Sequence, residues 1–431
     1  EASRRALGQK GLRLPAFLNW IYCVGWDAVN NVPAATALIA LLFAGGIQTP
    51  FWAALGVLAG VQMLASIYGH HVVQALQKYL GAFLLLAFAL IGIVFAIRGQ
   101  APLATHHPVG VSTFLLAVGV LVSFNLSWAS YSSDYTRYLP ASSSPTKVVL
   151  LALAGLLASA IPFQILGLIS AGSVVDASPT AVIASLQQTL GPLGTFALGA
   201  IALSSITGNS FNDNTASYSL ISAGFHIPRV AAAILTATLG YGLAVAGAGQ
   251  YTTFYTDYLM LTMYWIAPWT GIVLADWYCT AHTPRPTPAG WTRGASIFTI
   301  TTALTIGRFS TSSVYTGPIA RWLGEPTLAT MLVFLLPQAV TLRACRAAPI
   351  HKAPEPPLRT RSGFPSLRAC KDLQFHHSFP ASGGAGRAPP PPAQAQHAAR
   401  QSQHRSGLSP RHPALRSSTR PSEAFLWRGR D

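Results

Sequence analysis

KYLGAFLLLAFALIGIVFAIR, residues 78–98, carries its only two charges, Lys78 and Arg98, near its ends. A helix of about 20 apolar residues crosses the roughly 30 Å of bilayer hydrocarbon, so this stretch reads as a membrane span. Comparable runs recur near 16–43, 50–68, 110–133, 147–171, 193–222, 229–248, 252–279, 295–316 and 319–342, which makes ten spans. Polar, turn-rich pieces such as Gly99–Pro108, Leu139–Pro145 and Ala281–Gly290 separate them. One soluble core could not cover the apolar faces of so many helices. The expected fold class is therefore all-α: a polytopic membrane protein in a lipid bilayer.

Composition agrees. The 431 residues are 51% hydrophobic and only 9% charged, against roughly 25% charged residues in soluble domains. The net charge of +16 is unevenly spread, because residues 346–431 hold 14 of the 28 Lys and Arg but 4 of the 12 acidic residues. The basic excess is thus a property of the tail and of the loops, and it does not predict nucleic-acid binding. Cys23, Cys279, Cys345 and Cys370 lie scattered, without the clustering that a disulfide framework or a zinc site needs. The chain has no Walker loop, no H-E-x-x-H and no G-x-S-x-G. No enzyme, metal or organic cofactor is expected. The chain opens on Glu1 with neither an initiator Met nor a signal-peptide pattern, so lost upstream sequence or a fragment is expected.

Charge bias orients the spans. With the N-terminal segment cytoplasmic, the inner loops and edges hold Arg4, Arg5, Lys10, Arg13, Lys78, Arg137, Lys147, Arg229, Arg285 and Arg293, and the outer ones Arg98, Arg308 and Arg321. The positive-inside rule favours that arrangement. It divides the chain into a transmembrane domain, 1–345, and a cytoplasmic tail, 346–431. The tail, with Ala388-Pro389-Pro390-Pro391-Pro392 and repeated Ser, Gln, His and Arg, buries too little apolar area to fold, so disorder is expected. The plasma membrane is the expected location.

Polar residues inside spans are costly and mark pathways or packed pairs. Three segments stand out. In Asn19–Asn31, Trp26 and Asn30 lie four apart on one helical face. An indole and an amide so placed suit a flat heteroaromatic ligand; interhelical packing and a helix–helix hydrogen bond are the equal alternative. Asp27, on another face, reads as a proton carrier or as a paired carboxylate near a helix end. In Ser123–Pro140, the many hydroxyl and amide groups, among them Asn125, Ser127 and Trp128, predict a locally broken helix lining a cavity. Asp134 and Arg137, at i, i+3, read as an ion pair at the helix end. In Ser204–Tyr218, the residues Thr207, Ser210, Asn212 and Asp213 supply oxygen ligands for Na⁺, a proton relay or a polar substrate. Pro268 predicts a kink in the eighth span.

At these segments the sequence resembles the nucleobase:cation symporter-1 family, in particular its purine–cytosine permease branch. The motifs that carry the resemblance are Gly25–Asn30, the run Trp128–Pro140, the Asn-rich span through Asn212 to Tyr218, Ala267-Pro268 with Gly271-Ile272 and Ala275-Asp276, and Arg4–Gly8 through Leu14–Ala16. The resemblance covers roughly residues 1–342. It implies a five-plus-five inverted-repeat transporter of twelve helices, of which about ten are present and the first two absent. It also implies uptake of a nucleobase or related ring compound with H⁺ or Na⁺, by alternating access. On it, Trp26, Asn30, Trp128 and Asn212 are the substrate-binding candidates. Thr207, Ser210, Asp213 and Asp27 are the candidates for cation or proton coupling, and Asn125, Ser127, Asp134, Arg137 and Pro268 for gating. Ser210-Phe211 stands where sodium-coupled members have adjacent hydroxyl residues, which favours H⁺ as the coupling ion. An amino-acid or polyamine carrier of the same architecture, or a non-transporting fragment, remains as an alternative.

Overall fold

A computed structural model of the chain describes residues 3–98, 110–140, 142–171, 174, 176–279 and 288–323. The described residues form thirteen α-helices: α1 (Arg4–Gly11), α2 (Arg13–Ala44), α3 (Phe51–Tyr68), α4 (His70–Arg98), α5 (Val111–Ser127), α6 (Ser132–Thr136), α7 (Pro145–Ala171), α8 (Pro179–Leu190), α9 (Leu193–Ser222), α10 (Arg229–Gly247), α11 (Tyr251–Cys279), α12 (Arg293–Leu304) and α13 (Pro318–Trp322). Among the described residues six stretches are long and apolar enough to cross a membrane: Arg13–Ala44, Phe51–Tyr68, His70–Val94, Thr113–Thr136, Pro145–Leu168, and Arg229–Trp277, which takes in α10 and most of α11. The chain is a multi-pass, all-α membrane protein.

Burial sorts these helices into an inner and an outer set. Over the apolar stretch of α7 no residue is buried, and Leu151, Leu168 and Val149 are exposed. Apolar surface on this scale suits hydrocarbon rather than water. By contrast, α2, α3, α9 and α10 all pack on one another, and α2 and α9 share the most extensive contact. Their interface is small and tight, with Ala28, Ala34, Ala35, Ala54, Ala232, Ala233 and Ala244 all buried. Small residues let helix backbones approach where lipid removes the usual hydrophobic drive to associate.

The expected ends of most spans agree with the helices, with three differences. The fourth span, 110–133, breaks as expected, but by tightening: α5 passes into a 3₁₀ turn, Trp128–Tyr131, before α6. The span expected at 295–316 stops being α-helical at Leu304, runs through a π-turn, Thr305–Phe309, and ends in an extended loop bridged between Thr311 and Thr316. Of the span expected at 319–342, α13 is described, and the remainder lies outside the described residues, as does the tail. Two short helices, α1 and α8, fall where no span was expected, since 8 and 12 residues cannot cross hydrocarbon.

Helix α1 is pinned to the distant end of the fold. Gly8 has φ +74°, and a Cβ there would stand 2.2 Å from the Gly290 carbonyl oxygen, so only glycine fits. Gln9 N–H donates to the Pro288 carbonyl at 2.9 Å, Thr292 Oγ1 donates to the Ala6 carbonyl at 2.6 Å, and Arg5 pairs with Asp276 of α11 at 2.7 Å.

Pro268 lies within α11, which continues on both sides of it. Lacking an N–H, Pro268 leaves the Tyr264 carbonyl without its helical donor. Thr305 Oγ1, on the π-turn, donates to that carbonyl at 2.8 Å. The widened turn after α12 thus satisfies a group that proline releases in α11.

Candidate functional site

The three polar segments, up to about 190 residues apart in sequence, meet where α2, the α5–α6 break, α9 and α11 converge. Trp26 is buried among rings: Tyr258 at 5.4 Å and Phe124 at 6.0 Å, both edge-on, with Tyr22 at 6.1 Å. Gly25 permits this packing, because a Cβ there would stand 2.2 Å from the Tyr258 ring. The Trp26 indole nitrogen is buried, and among the described residues the Tyr22 hydroxyl is the polar group that interacts with it.

Beside the rings runs a chain of amides. Asn30 Nδ2 donates to Asn209 Oδ1 at 2.9 Å, and Asn212 Nδ2 donates to the same oxygen at 3.2 Å. Tyr131 OH donates to Asn212 Oδ1 at 2.6 Å, and Asn209 Nδ2 donates to the Asp27 backbone carbonyl at 3.2 Å. Asn209 therefore ties Asn30 and Asn212 together, although the sequence had not singled it out. Asn30 and Trp26 share a helix but not an environment, for Trp26 faces the aromatic cluster while Asn30 faces α9. Trp128 is 45% exposed and meets the cluster through Tyr131, 5.6 Å away.

The Asp134–Arg137 pair forms at 2.6 Å, and the other Asp134 oxygen accepts from Thr215 of α9 at 2.7 Å. The Arg137 guanidinium also lies over the Tyr218 ring at 5.0 Å. These contacts fasten the short helix α6 to α9. Adjacent to them is a cavity of about 200 Å³, bordered by Asn19, Asp134, Arg137, Tyr218, Trp265 and Trp269. The i, i+4 spacing of Trp265 and Trp269 around Pro268 could have marked this wall in the sequence. The cavity, Tyr258 and Tyr131 are what the sequence reading passed over.

Several expected groups bond within their own helices. Thr207 Oγ1 donates to the Leu203 carbonyl at 3.4 Å and Ser210 Oγ to the Ile206 carbonyl at 2.5 Å. Asn125 donates to the Leu121 carbonyl at 2.7 Å and Ser127 to the Phe124 carbonyl at 2.5 Å, both on the turn before the break. Asp27 and Asp213 are fully buried, and their carboxyl oxygens have no hydrogen-bond donor.

The fold has solved counterparts: the inward-facing conformation of Mhp1 superposes with a TM-score of 0.61 at 15% identity, covering 80% of this chain and 76% of that one. Mhp1 in a closed conformation with bromovinylhydantoin bound, described as a nucleobase-cation-symport-1 family transporter, gives 0.59 at the same identity. Residues 2–284 match the family described as permease for cytosine/purines, uracil, thiamine, allantoin, and the chain belongs to that family. Among relatives, YxlA of Bacillus subtilis is 25% identical over 84% of this chain and 80% of its own length. The purine-cytosine permease fcyB of Emericella nidulans is 26% identical over 61% of this chain, which spans about half (54%) of fcyB.

Proposed function

We propose that the protein imports a nucleobase or a related flat heterocycle together with a proton, by alternating access. The observation that carries this reading is the amide chain Asn30–Asn209–Asn212 set against the Trp26 cluster. Rings offer a stacking face, while amides both donate and accept, as the edge of a nucleobase requires. The roles proposed are stacking for Trp26 and edge recognition for Asn30 and Asn212, with Trp128 at the approach. The Asp134–Arg137–Thr215 contacts fasten the gate at the broken helix. The positive-inside bias sets the cavity beside Arg137 toward the cytoplasm. The names of the relatives support the substrate class.

A proton is favoured over sodium because no second hydroxyl follows Ser210, which leaves one oxygen ligand fewer for a cation. The test is uptake of radiolabelled cytosine, adenine, hypoxanthine, uracil and allantoin in a transport-null host. Uptake of at least one, abolished by a protonophore and indifferent to Na⁺, is expected. No uptake of any of them, with the protein at the cell surface, refutes the substrate reading.

A further inference from the structure

We propose that Asp27 and Asp213 form a buried proton-binding site, in which a proton on one carboxyl is shared with the other. Its gain and loss would be the ion movement coupled to the substrate. That coupling rests on the transport reading above; the proton site itself does not.

The argument begins with burial. Asp27 on α2 and Asp213 on α9 each have 0% exposure, and none of their four carboxyl oxygens is bonded by a donor among the described residues. Asn209, one turn before Asp213 on α9, bonds the Asp27 backbone carbonyl, which brings the two aspartates to the same stretch of the α2–α9 contact, where each acts on the other. A carboxylate only accepts, so two ionised groups facing one another would have repulsion and no donor between them. An isolated buried charge is prohibitively costly, and a buried group facing this choice neutralises by taking up a proton. One proton converts the pair into a donor facing an acceptor, the arrangement by which two carboxyl groups share a site.

The neighbouring donor is the Asn212 amide, whose Nδ2 already donates to Asn209 Oδ1. Neither carboxyl has a cationic partner among the described residues. The titratable groups that interact with Asp27 from other positions are Cys23, one turn earlier on α2, and Tyr258 of α11. From α10, Gly240 approaches so closely that a Cβ there would stand 2.6 Å from Asp27 Cβ and 3.3 Å from its Oδ2. Three more fully buried side chains of the same four-helix unit, Asn31 on α2, Gln62 on α3 and Asn214 on α9, have both amide atoms without a partner.

The site also borders the amide chain. Asn209 holds the Asp27 backbone carbonyl, and Asp213 directly follows Asn212. A change in the protonation of the pair therefore acts on the helix turns that carry Asn30, Asn209 and Asn212.

The experiment is infrared spectroscopy of the purified full chain in lipid nanodiscs, with Asp27→Asn, Asp213→Asn and the double variant. The expected result is a protonated-carboxyl C=O band near neutral pH that shifts in D₂O, changes in each single variant and disappears in the double variant. Absence of the band, or its persistence unchanged in the double variant, overturns the proposal. So does its loss when sodium chloride replaces choline chloride, which would make the pair a sodium site. In cells, each single variant should reach the surface at the wild-type level but lose concentrative uptake at least tenfold. Single variants that still accumulate substrate against a gradient overturn the coupling. A wild-type chain that takes up no nucleobase refutes the transport reading, while the infrared result still decides the proton site.

Discussion

Thr215→Val and Asp134→Ala, alone and together, test whether α6 is fastened to α9 through one carboxylate. Asp134 accepts from Arg137 at 2.6 Å and from Thr215 at 2.7 Å. A hydrogen bond to a charged group contributes about 1.5–3 kcal/mol to soluble proteins. Interhelical bonds in a membrane protein average about 0.6 and reach about 1.7 kcal/mol in double-mutant cycles. Thr215→Val, which removes one donor from a nearly buried carboxylate, should therefore cost about 1–1.5 kcal/mol. Asp134→Ala removes both bonds and strands Arg137. The Arg137 side chain is 35% exposed, so water recovers much of its charge and the total should be about 2–3 kcal/mol. Because the Thr215 bond is already lost in Asp134→Ala, the double variant should be within a few tenths of a kcal/mol of that single variant. Fluorescence-monitored unfolding in mixed micelles measures all four proteins. If the two single costs add in full, the bond does not hold α6 to α9, and the latch assigned to this contact is refuted.

Other outcomes follow from the same geometry. Thr305→Val should destabilise the chain by about 1 kcal/mol, because it deprives the Tyr264 carbonyl of its donor, whereas in a Pro268→Ala background the restored N–H should make the same change nearly neutral; unfolding midpoints of the four proteins decide this. Gly8→Ala should cost about 2 kcal/mol or more, since it meets both a left-handed φ and the Gly290 carbonyl, and it should lower the yield of monodisperse protein on size exclusion. Trp26→Ala should raise the uptake KM about tenfold or more, as base–aromatic stacking contributes about 1–3 kcal/mol. Trp128→Ala, at a ring 45% exposed, should raise it less. Equal KM effects would show that Trp128 joins the ligand site.

The helices were legible in the sequence because insertion depends on local composition. The expected spans 16–43, 50–68, 229–248 and 252–279 fall on α2, α3, α10 and α11 within a few residues. The end of α12 at Leu304 was not legible, since no proline or polar run follows it before Ser310. In the π-turn beyond it, Thr305 bonds the carbonyl that Pro268 frees on another helix.

For the candidate site, the sequence by itself determined that polar groups are placed in spans where each is costly, and so drew attention to Trp26, Asn30, Asp134, Arg137, Asn212 and Asp213. It could not say which of them meet. Asn30 and Asn209 are separated by 179 positions, Tyr131 and Asn212 by 81. Nothing in the local pattern distinguishes Asn209 from the other asparagines of α9. Only the tertiary structure decided that Asn209 joins two helices, that Tyr131 rather than Trp128 reaches the amide chain, and that both aspartates are fully buried with no cationic partner among the described residues. The physical reason is that lipid rewards apolarity residue by residue, whereas a buried polar group is satisfied only by the particular partner that packing brings to it.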